Sequence, residues 1–469
     1  MLKTFFSIIF PVITIPYINR VLLTENVGKI TFSASYVSYF SLIASLGIST
    51  YAIRECSSVR NNMSDFEKIS NQIFSINIIT TIFSYILLLV SIFSFRKLES
   101  YRVIIVVQSV AIIANTLGAD WINTALEDFK YITIRTIVFQ IFSLLLMIVF
   151  VKRPEDYLRY SIISLLSSAG ASLTNIWYRK KICNVSFTLK IDWNRHVLPI
   201  LYLFVMSLAQ NILNSFGTTM LGFFCDNHSV GIYGTAYKIV NIISQLVASL
   251  TWVVMPRMSL YFEQKDYLKI NKLLTNVFGF NMLIGLPCVI GVISIAEDII
   301  LLVAGRPFIE SASILKILMV GFAFSLFGGN LLGNAVLLPS KQEKEYMMIC
   351  LFTASIHIVT NLVLIPNFGA VGAALSTVFS TLLITILLIL KTNKNISIIN
   401  SSNLLISPII GCLCIVIICY LGKLINNLFL RVFVSVVGSV LVYFTIQIFF
   451  KNVLIKDLIE TAKNKLFRT

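Results

Sequence analysis

The chain has 469 residues, of which 57% are hydrophobic and only 12% are charged, and its formal net charge is +16. Soluble proteins carry about 25% charged residues. The composition therefore excludes a soluble globular chain and indicates a polytopic membrane protein. The eight cysteines form no CxxC pair, which predicts neither disulfides nor a zinc site.

Apolar runs of about 17 to 25 residues predict membrane-spanning helices. Fourteen such runs follow along the chain, at about 3–19, 30–52, 71–95, 103–119, 131–151, 158–178, 197–225, 230–256, 275–296, 310–334, 345–366, 369–390, 403–422 and 430–450. They leave no room for a soluble domain. We therefore expect an all-α polytopic membrane protein with short connections.

Basic residues in the short loops predict the orientation. With the N-terminus in the cytoplasm, 24 Lys and Arg residues lie on the inner side and 12 on the outer side. Both termini should then be cytoplasmic. Because membrane insertion explains most of the basic charge, we expect no nucleic-acid partner.

A weak internal repeat relates two parts of the chain at an offset of 203 residues. It aligns Gly28 with Gly231 and Arg54 with Arg257. Transporters often contain such repeats, which favours two six-helix lobes. The predicted divisions are an N-terminal lobe at 1–178, a basic cytoplasmic linker at 179–196, a C-terminal lobe at 197–390, two additional helices at 403–450 and a cytoplasmic tail at 451–469.

The sequence lacks the common catalytic signatures. It contains neither the GxxxxGK[ST] loop that binds nucleotide phosphates nor HExxH. His357 lies alone in an apolar span, and we interpret it as a packing residue rather than a catalytic base. We therefore expect neither an enzyme nor a cofactor.

Polar residues at membrane depth indicate a water-lined interior. Lys238, Asn241 and Gln245 share one helical face of the eighth span, whereas acidic residues are scarce, with Asp120 at the inner end of the fourth. A cavity with cations and few carboxylates suits an anionic substrate, because cation and proton antiporters usually need a buried acid.

Several short motifs resemble those of polysaccharide repeat-unit flippases, the O-antigen and capsule flippases of the multidrug/oligosaccharidyl-lipid/polysaccharide exporter superfamily. The motifs are Phe10-Pro11-x-x-Thr14-Ile15-Pro16-Tyr17-x-x-Arg20-Val21-Leu22, Asn26-Val27-Gly28-Lys29, Ser45-Leu46-Gly47-Ile48, Tyr51-x-Ile53-Arg54-Glu55, the stretch from Leu126 to Arg135, and Gly369-Ala-Val-Gly372-Ala-Ala.

The resemblance implies two six-helix bundles around a central cavity, with two C-terminal helices beside them. It also implies transport of an undecaprenyl-diphosphate-linked oligosaccharide to the outer leaflet. In the related flippase of the lipid-linked peptidoglycan precursor, arginines near the ends of the first, second and eighth helices hold the diphosphate. Arg20, Arg54 and Arg257 occupy similar places here, and Lys238 is a further candidate. Membrane lipids and other membrane proteins of polysaccharide assembly are candidate partners.

Two alternatives stay open. A drug/cation antiporter of the same superfamily would be favoured by an acidic residue within the first span, which has none. A membrane polysaccharide polymerase would be favoured by a large outer loop or an acidic sugar-nucleotide site. The longest connection, at 179–196, is instead short and basic.

Overall fold

The computed structural model describes residues 2–392, 396, 402–450, 452 and 454–456. Most of these residues are helical, and no strand occurs among them. Within these ranges the α-helices are α1 (Leu2–Ser45), α2 (Ile48–Ser58), α3 (Met63–Ser94), α4 (Arg102–Gly118), α5 (Trp121–Ala125), α6 (Phe129–Phe150), α7 (Tyr157–Leu165), α8 (Ala171–Arg179), α9 (Trp193–Phe224), α10 (Asn227–Glu263), α11 (Tyr267–Phe280), α12 (Leu286–Ser294), α13 (Ala296–Val303), α14 (Ser311–Ser325), α15 (Glu343–Lys391), α16 (Ser402–Gly422) and α17 (Leu428–Phe449).

Among the described residues, ten helical tracts are long and apolar enough to cross a membrane, and the bent helix α10 makes eleven. The tract Ile9–Ser58 covers the predicted span 30–52 and most of the span 3–19, and the tract Glu343–Lys391 holds the spans 345–366 and 369–390. Their backbones leave the helical region at Leu23 (φ 60°) and Gly369 (φ 54°). The predicted span 158–178 corresponds to α7 and α8, which a π-helical segment joins. The prediction of an all-α polytopic membrane protein is confirmed.

Large apolar side chains cover the outward faces of the spanning helices. On α3, the most exposed apolar residues are Ile82, Phe83, Ile86, Val90 and Phe93. Their spacing of mostly three or four residues places them along one side of the helix. Such a surface is unfavourable in water but is expected where a helix contacts lipid.

Residue contacts divide the chain into two compact units, Met1–Gly231 and Ile232–Thr469. The first unit includes α9, which packs against α1 and α2. This division follows packing alone, and the lobes at 1–178 and 197–390 stay a prediction.

The repeat glycines lie at a close crossing of α1 and α10 within the first unit. A Cβ at Gly28 would overlap the carbonyl oxygen of Asn227, and a Cβ at Gly231 would overlap that of Thr24. Thr24 and Asn227 are themselves separated by the repeat offset of 203. Adding or subtracting 203 residues therefore converts the contact of Gly28 with Asn227 into that of Gly231 with Thr24. The internal repeat in the sequence thus has a counterpart in the structure.

A buried apolar cluster of the first unit holds α2, α3 and α5 together. Its members include Tyr51 on α2, Phe66 and Ile73 on α3, and Trp121 and Ile122 on α5. Burial of each large apolar side chain contributes about 1.5–3 kcal/mol. The cluster fixes α2, which carries Arg54.

Candidate substrate-binding site

A tight turn before α2 brings this helix against α9. Leu46 (φ 43°) and Gly47 (φ 73°) adopt left-handed backbone conformations. A Cβ at Gly47 would lie 2.8 Å from the Cβ of Leu203 on α9. Glycine meets both the dihedral and the spatial requirement without strain, so the turn allows α2 to approach α9 closely.

Arg54 lies between an aromatic ring and a carboxylate. Its guanidinium carbon lies 5.6 Å from the centroid of the Tyr51 ring, and its Nε lies 3.6 Å from Oε1 of Glu55. The other oxygen of Glu55, Oε2, accepts a hydrogen bond from Nη2 of Arg195 at 3.1 Å. The Arg54 and Arg195 side chains are 64% and 47% exposed. Both guanidiniums are therefore accessible to a ligand.

A buried histidine anchors the start of α9 below these arginines. His196 Nε2 lies 2.8 Å from Oε1 of Gln72, and its Nδ1 lies 2.8 Å from the Tyr51 hydroxyl. Because Gln72 Nε2 donates to the Lys190 carbonyl at 3.1 Å, Gln72 Oε1 is the group that faces the imidazole. His196 Nε2 therefore donates to Gln72, and the neutral imidazole accepts at Nδ1 from Tyr51.

The predicted linker segment runs in extended form along α3. The backbone N–H groups of Asn184, Ser186 and Thr188 donate to side-chain oxygens of Glu67 (2.9 Å), Asn71 (2.7 Å) and Ser75 (2.8 Å), respectively. These acceptors are spaced four residues apart on one helical face. The contacts hold residues 184–188 on the first unit, just before α9.

A polar cavity of about 210 Å³ lies among helices of the first unit. Its polar lining consists of Ser41, Ser45, Ser49, Asn77, Asn115, Thr116, Asp120 and Ser172. Asp120 Oδ2 accepts a hydrogen bond from Nη2 of Arg135 at 2.6 Å. Among the described residues, Asp120 Oδ1 and Arg135 Nε and Nη1 have no hydrogen-bond partner. The cavity suits water or a hydroxyl-rich ligand more than a free cation, because Arg135 already offsets the Asp120 charge.

The other predicted site residues lie at separate places on the chain. Arg20 is exposed on α1, three residues before the break at Leu23, and Arg257 is exposed on α10. Lys238 is half-buried on α10, and in the described part of the chain no hydrogen bond or ion pair engages it. The roles of these residues and of Arg54 stay predictions.

The second unit contains an apolar groove of about 290 Å³ beside α12, α16 and α17. Pro287, Ile415, Val440 and Phe444 contribute to its lining, and the Tyr443 hydroxyl donates to the Leu283 carbonyl at 2.9 Å. Elsewhere in this unit, the imidazole of His357 is buried and hydrogen-bonded to the Ser380 hydroxyl at 2.8 Å. Such an environment is typical of a packing residue.

Comparison with protein families gives a match over residues 1–262, more than half of the chain, to the model described as polysaccharide biosynthesis protein. The chain belongs to this family. As a member of the polysaccharide biosynthesis protein family, it is 23% identical over 402 residues to a putative O-antigen transporter of Shigella dysenteriae, covering 82% of this chain and 96% of that protein. It is also 24% identical over 366 residues to the capsular polysaccharide biosynthesis protein CapF of Staphylococcus aureus, covering 76% and 88%.

Two solved structures share the fold of this family member. The lipid II flippase MurJ in an inward closed conformation matches with a TM-score of 0.74 and 16% identity, over 97% of this chain and 98% of that one. An inward-facing multidrug resistance MATE family transporter of the MOP superfamily matches with a TM-score of 0.58 and 14% identity, over 82% and 96%. The resemblance to polysaccharide repeat-unit flippases is confirmed in family and fold.

Sequence reasoning missed Arg195, which it counted only among the basic residues of the inner surface. One local signal was present. Arg195 lies three residues after Asp192, whose side chain caps α9. Arg195 is therefore in the first turn of α9, where the helix dipole disfavours a positive charge.

Proposed function

We propose that the protein is a flippase that moves undecaprenyl-diphosphate-linked oligosaccharide repeat units across the bacterial inner membrane for O-antigen or capsular polysaccharide synthesis. The observation that carries the proposal is the similarity, over 82% of the chain, to a putative O-antigen transporter. The MurJ-like fold supports it. The protein acts by ATP-independent alternating access and catalyses no covalent step.

The physical task of such a flippase is to carry a charged diphosphate past hydrocarbon. Transfer of unpaired charge into an apolar medium costs many kcal/mol, and a cationic, water-lined path lowers this barrier. Arg20, Arg54, Arg257 and Lys238 are the proposed phosphate-binding residues. Arginine suits this role because its planar fork binds phosphate oxygens in bidentate fashion.

The proposal that arginines bind the phosphate groups is tested by measuring polysaccharide export in cells that lack the native protein. Each charge-assisted hydrogen bond contributes about 1.5–3 kcal/mol, so Arg54→Ala and Arg257→Ala should each cut surface polymer by roughly tenfold or more at equal membrane abundance. Lysine at either position should restore export only partly. Full export by well-inserted alanine variants would return both residues to the role of insertion anchors.

The energy source is tested separately in sealed vesicles. Translocation of a labelled lipid-linked oligosaccharide should proceed without ATP and respond to collapse of an ion gradient or the membrane potential. Strict ATP dependence of the purified protein would contradict the carrier mechanism.

We also propose that both termini are cytoplasmic, with lobes at 1–178 and 197–390 and two additional helices at 403–450. Reporter fusions after Lys394 should behave as cytoplasmic and fusions at Asn367 as external. The opposite pattern would reverse the orientation.

A drug/cation antiporter is the second candidate, because the fold also matches a multidrug resistance MATE family transporter. The two candidates differ in their cargo. Expression in a drug-sensitive host should leave resistance to cationic drugs unchanged under the flippase proposal, and a large rise in resistance without restored surface polymer would favour the antiporter.

A further inference from the structure

One carboxylate in the first unit bridges two arginines from distant parts of the chain. Glu55 Oε1 faces Arg54 Nε at 3.6 Å, and Glu55 Oε2 accepts from Arg195 Nη2 at 3.1 Å. Glu55 is 22% exposed, much less than either arginine. The carboxylate therefore lies between two accessible guanidiniums, in a place that suits a small anion.

The charge distribution around this place favours a second anion. Arg195 lies in the first turn of α9, where the helix dipole already contributes positive partial charge. Asp192 offsets part of that charge and caps the helix by accepting the Arg195 N–H at 3.2 Å. Lys190 is exposed two residues earlier. With Arg54 and Arg195 sharing one carboxylate, the cluster keeps capacity for additional negative charge.

The same buried residues support Arg54 and the start of α9, which carries Arg195. The Tyr51 ring lies beneath Arg54, and the Tyr51 hydroxyl lies 2.8 Å from His196, the residue after Arg195. His196 is fully buried and also bonds Gln72. Tyr51 thus contacts the Arg54 guanidinium directly and fixes the start of α9, the helix that carries Arg195.

A nearby pair offers an internal contrast. Arg60 forms a one-to-one ion pair with Glu127, and both side chains are well exposed, at 44% and 64%. No second cation shares Glu127 in the described part of the chain. This pair is an ordinary surface ion pair, and it provides matched control variants.

We propose that Arg54 and Arg195 form one anion site that takes the diphosphate of the lipid-linked substrate, and that Glu55 occupies this site until the diphosphate displaces it. The inference rests on the proposed function and adds Arg195 and Glu55 to the site. A diphosphate carries more negative charge and more acceptor oxygens than one carboxylate, and each guanidinium can bind it through a two-pronged contact. Displacement then exchanges an internal anion for the substrate without leaving either arginine unpaired.

The test is binding of undecaprenyl diphosphate to the purified full-length protein in lipid nanodiscs, measured by titration with native mass spectrometry. Arg195→Ala should lower the affinity by about tenfold or more, since it removes charge-assisted bonds, and Arg195→Lys should lower it less. Glu55→Gln should raise the affinity, because the competing carboxylate is lost. Arg60→Ala and Glu127→Gln should leave it unchanged.

A mere structural brace gives a different pattern. In that case Arg195→Ala and Glu55→Gln would both lower the melting temperature and change affinity in the same direction or not at all, which would overturn the site. If Arg195→Ala does not fold, the affinity of Arg195→Gln, which should be lower, and that of Glu55→Gln, which should be higher, still test the proposed anion site.

Competing ligands separate the possible sources of the phosphate group. Undecaprenyl monophosphate, inorganic diphosphate and phosphatidylglycerol should each compete weakly, and equal competition by any of them would overturn the assignment to a lipid diphosphate. Undetectable binding of undecaprenyl diphosphate by the unmodified protein would also overturn it. The proposed function fails by a different result, namely normal surface polymer in cells that lack the protein.

Discussion

The two compact units differ in how their cavities are built. In the first, hydroxyl and amide groups line a cavity of about 210 Å³ that also contains Asp120. In the second, a groove of about 290 Å³ is almost wholly apolar, and its tyrosine hydroxyl is bonded to the Leu283 carbonyl. Helices of similar overall hydrophobicity therefore form one cavity suited to polar groups and one suited to apolar groups. A few polar residues decide the difference.

Two helical glycines, Gly28 of the first unit and Gly291 of the second, show a related contrast. Gly28 on α1 is pressed against a backbone carbonyl, whereas Gly291 beside the apolar groove has only a methyl of Ile415, 3.9 Å from where its Cβ would lie. Glycine at position 28 thus permits a close helix contact, whereas position 291 leaves space for a larger side chain.

The largest expected effect follows from breaking the polar network of the first unit. Asp120→Ala leaves the guanidinium of Arg135, only 5% exposed, without its carboxylate partner. Loss of one partner of a fully buried pair costs about 3–5 kcal/mol. Because Asp120 is 40% exposed, the expected loss of unfolding free energy lies just below this range, at about 2–3 kcal/mol. Thermal unfolding in detergent, followed by tryptophan fluorescence, should show a clear drop in melting temperature.

The double variant Asp120→Ala/Arg135→Met is the control for this effect. It removes the charge that the single variant leaves unpaired, so it should recover much of the lost stability. An Asp120→Ala protein that melts like the unmodified chain would show that the ion pair does not hold the first unit together.

The glycine contrast predicts opposite signs for one substitution. Gly28→Ala forces a methyl group into the Asn227 backbone and should lower the unfolding free energy by about 2 kcal/mol, as overpacking does. Gly291→Ala finds open space and should raise it by about 0.5–1 kcal/mol, because alanine is the better helix former. If both variants shift the melting temperature in the same direction, the proposed difference in packing between positions 28 and 291 is wrong.

The smallest expected effect concerns a charged turn of the first unit. The backbone N–H groups of Lys152 and Arg153 donate to Asp156, each at 3.0 Å, and with Arg159 they hold the pKa of this carboxyl below its usual value. A lowered pKa stabilises the folded protein above the unfolded pKa of about 3.9, and this stabilisation is lost as the pH falls through the folded value.

The melting-temperature difference between the unmodified protein and Asp156→Asn should therefore be constant near neutral pH and shrink as the pH falls below about 4. Asp192→Asn, which alters the cap of α9, is a useful comparison for general charge effects. A difference that grows with acidification would contradict the role assigned to Asp156.

The spanning helices were predictable because each is a long apolar run. The positions where these helices bend or break were harder to predict. The prolines Pro11 and Pro16 lie inside α1 without ending it, and the chain departs from helical geometry instead at Leu23. No proline or glycine marks that position, so the local sequence does not predict it.

The site was predictable only where its residues belong to a local motif. Arg54 and Glu55 belong to the family motif that begins at Tyr51, but Arg195, which pairs with Glu55, lies 140 residues farther along the chain. Pairing at that separation depends on how α9 packs against α2, which apolar periodicity does not specify. Asp120 was noticed as an acid at the inner end of a span, whereas its bond to Arg135 depends on the turn between α4 and α6.

The extended segment beside α3 also limits how this loop can vary in length. Two residues of extended chain advance about 6.6 Å, close to the advance of about 6.0 Å for four residues of helix. This match lets Asn184, Ser186 and Thr188 meet acceptors on successive turns. Since neighbouring N–H groups of an extended chain point in opposite directions, inserting one residue would turn the later donors away, whereas inserting two would restore their direction one helical turn farther along. Most surface loops tolerate insertions of any size. Here a single inserted residue should disrupt the contacts more than two would, although after a two-residue insertion the last donor would face Ile79, which offers no acceptor.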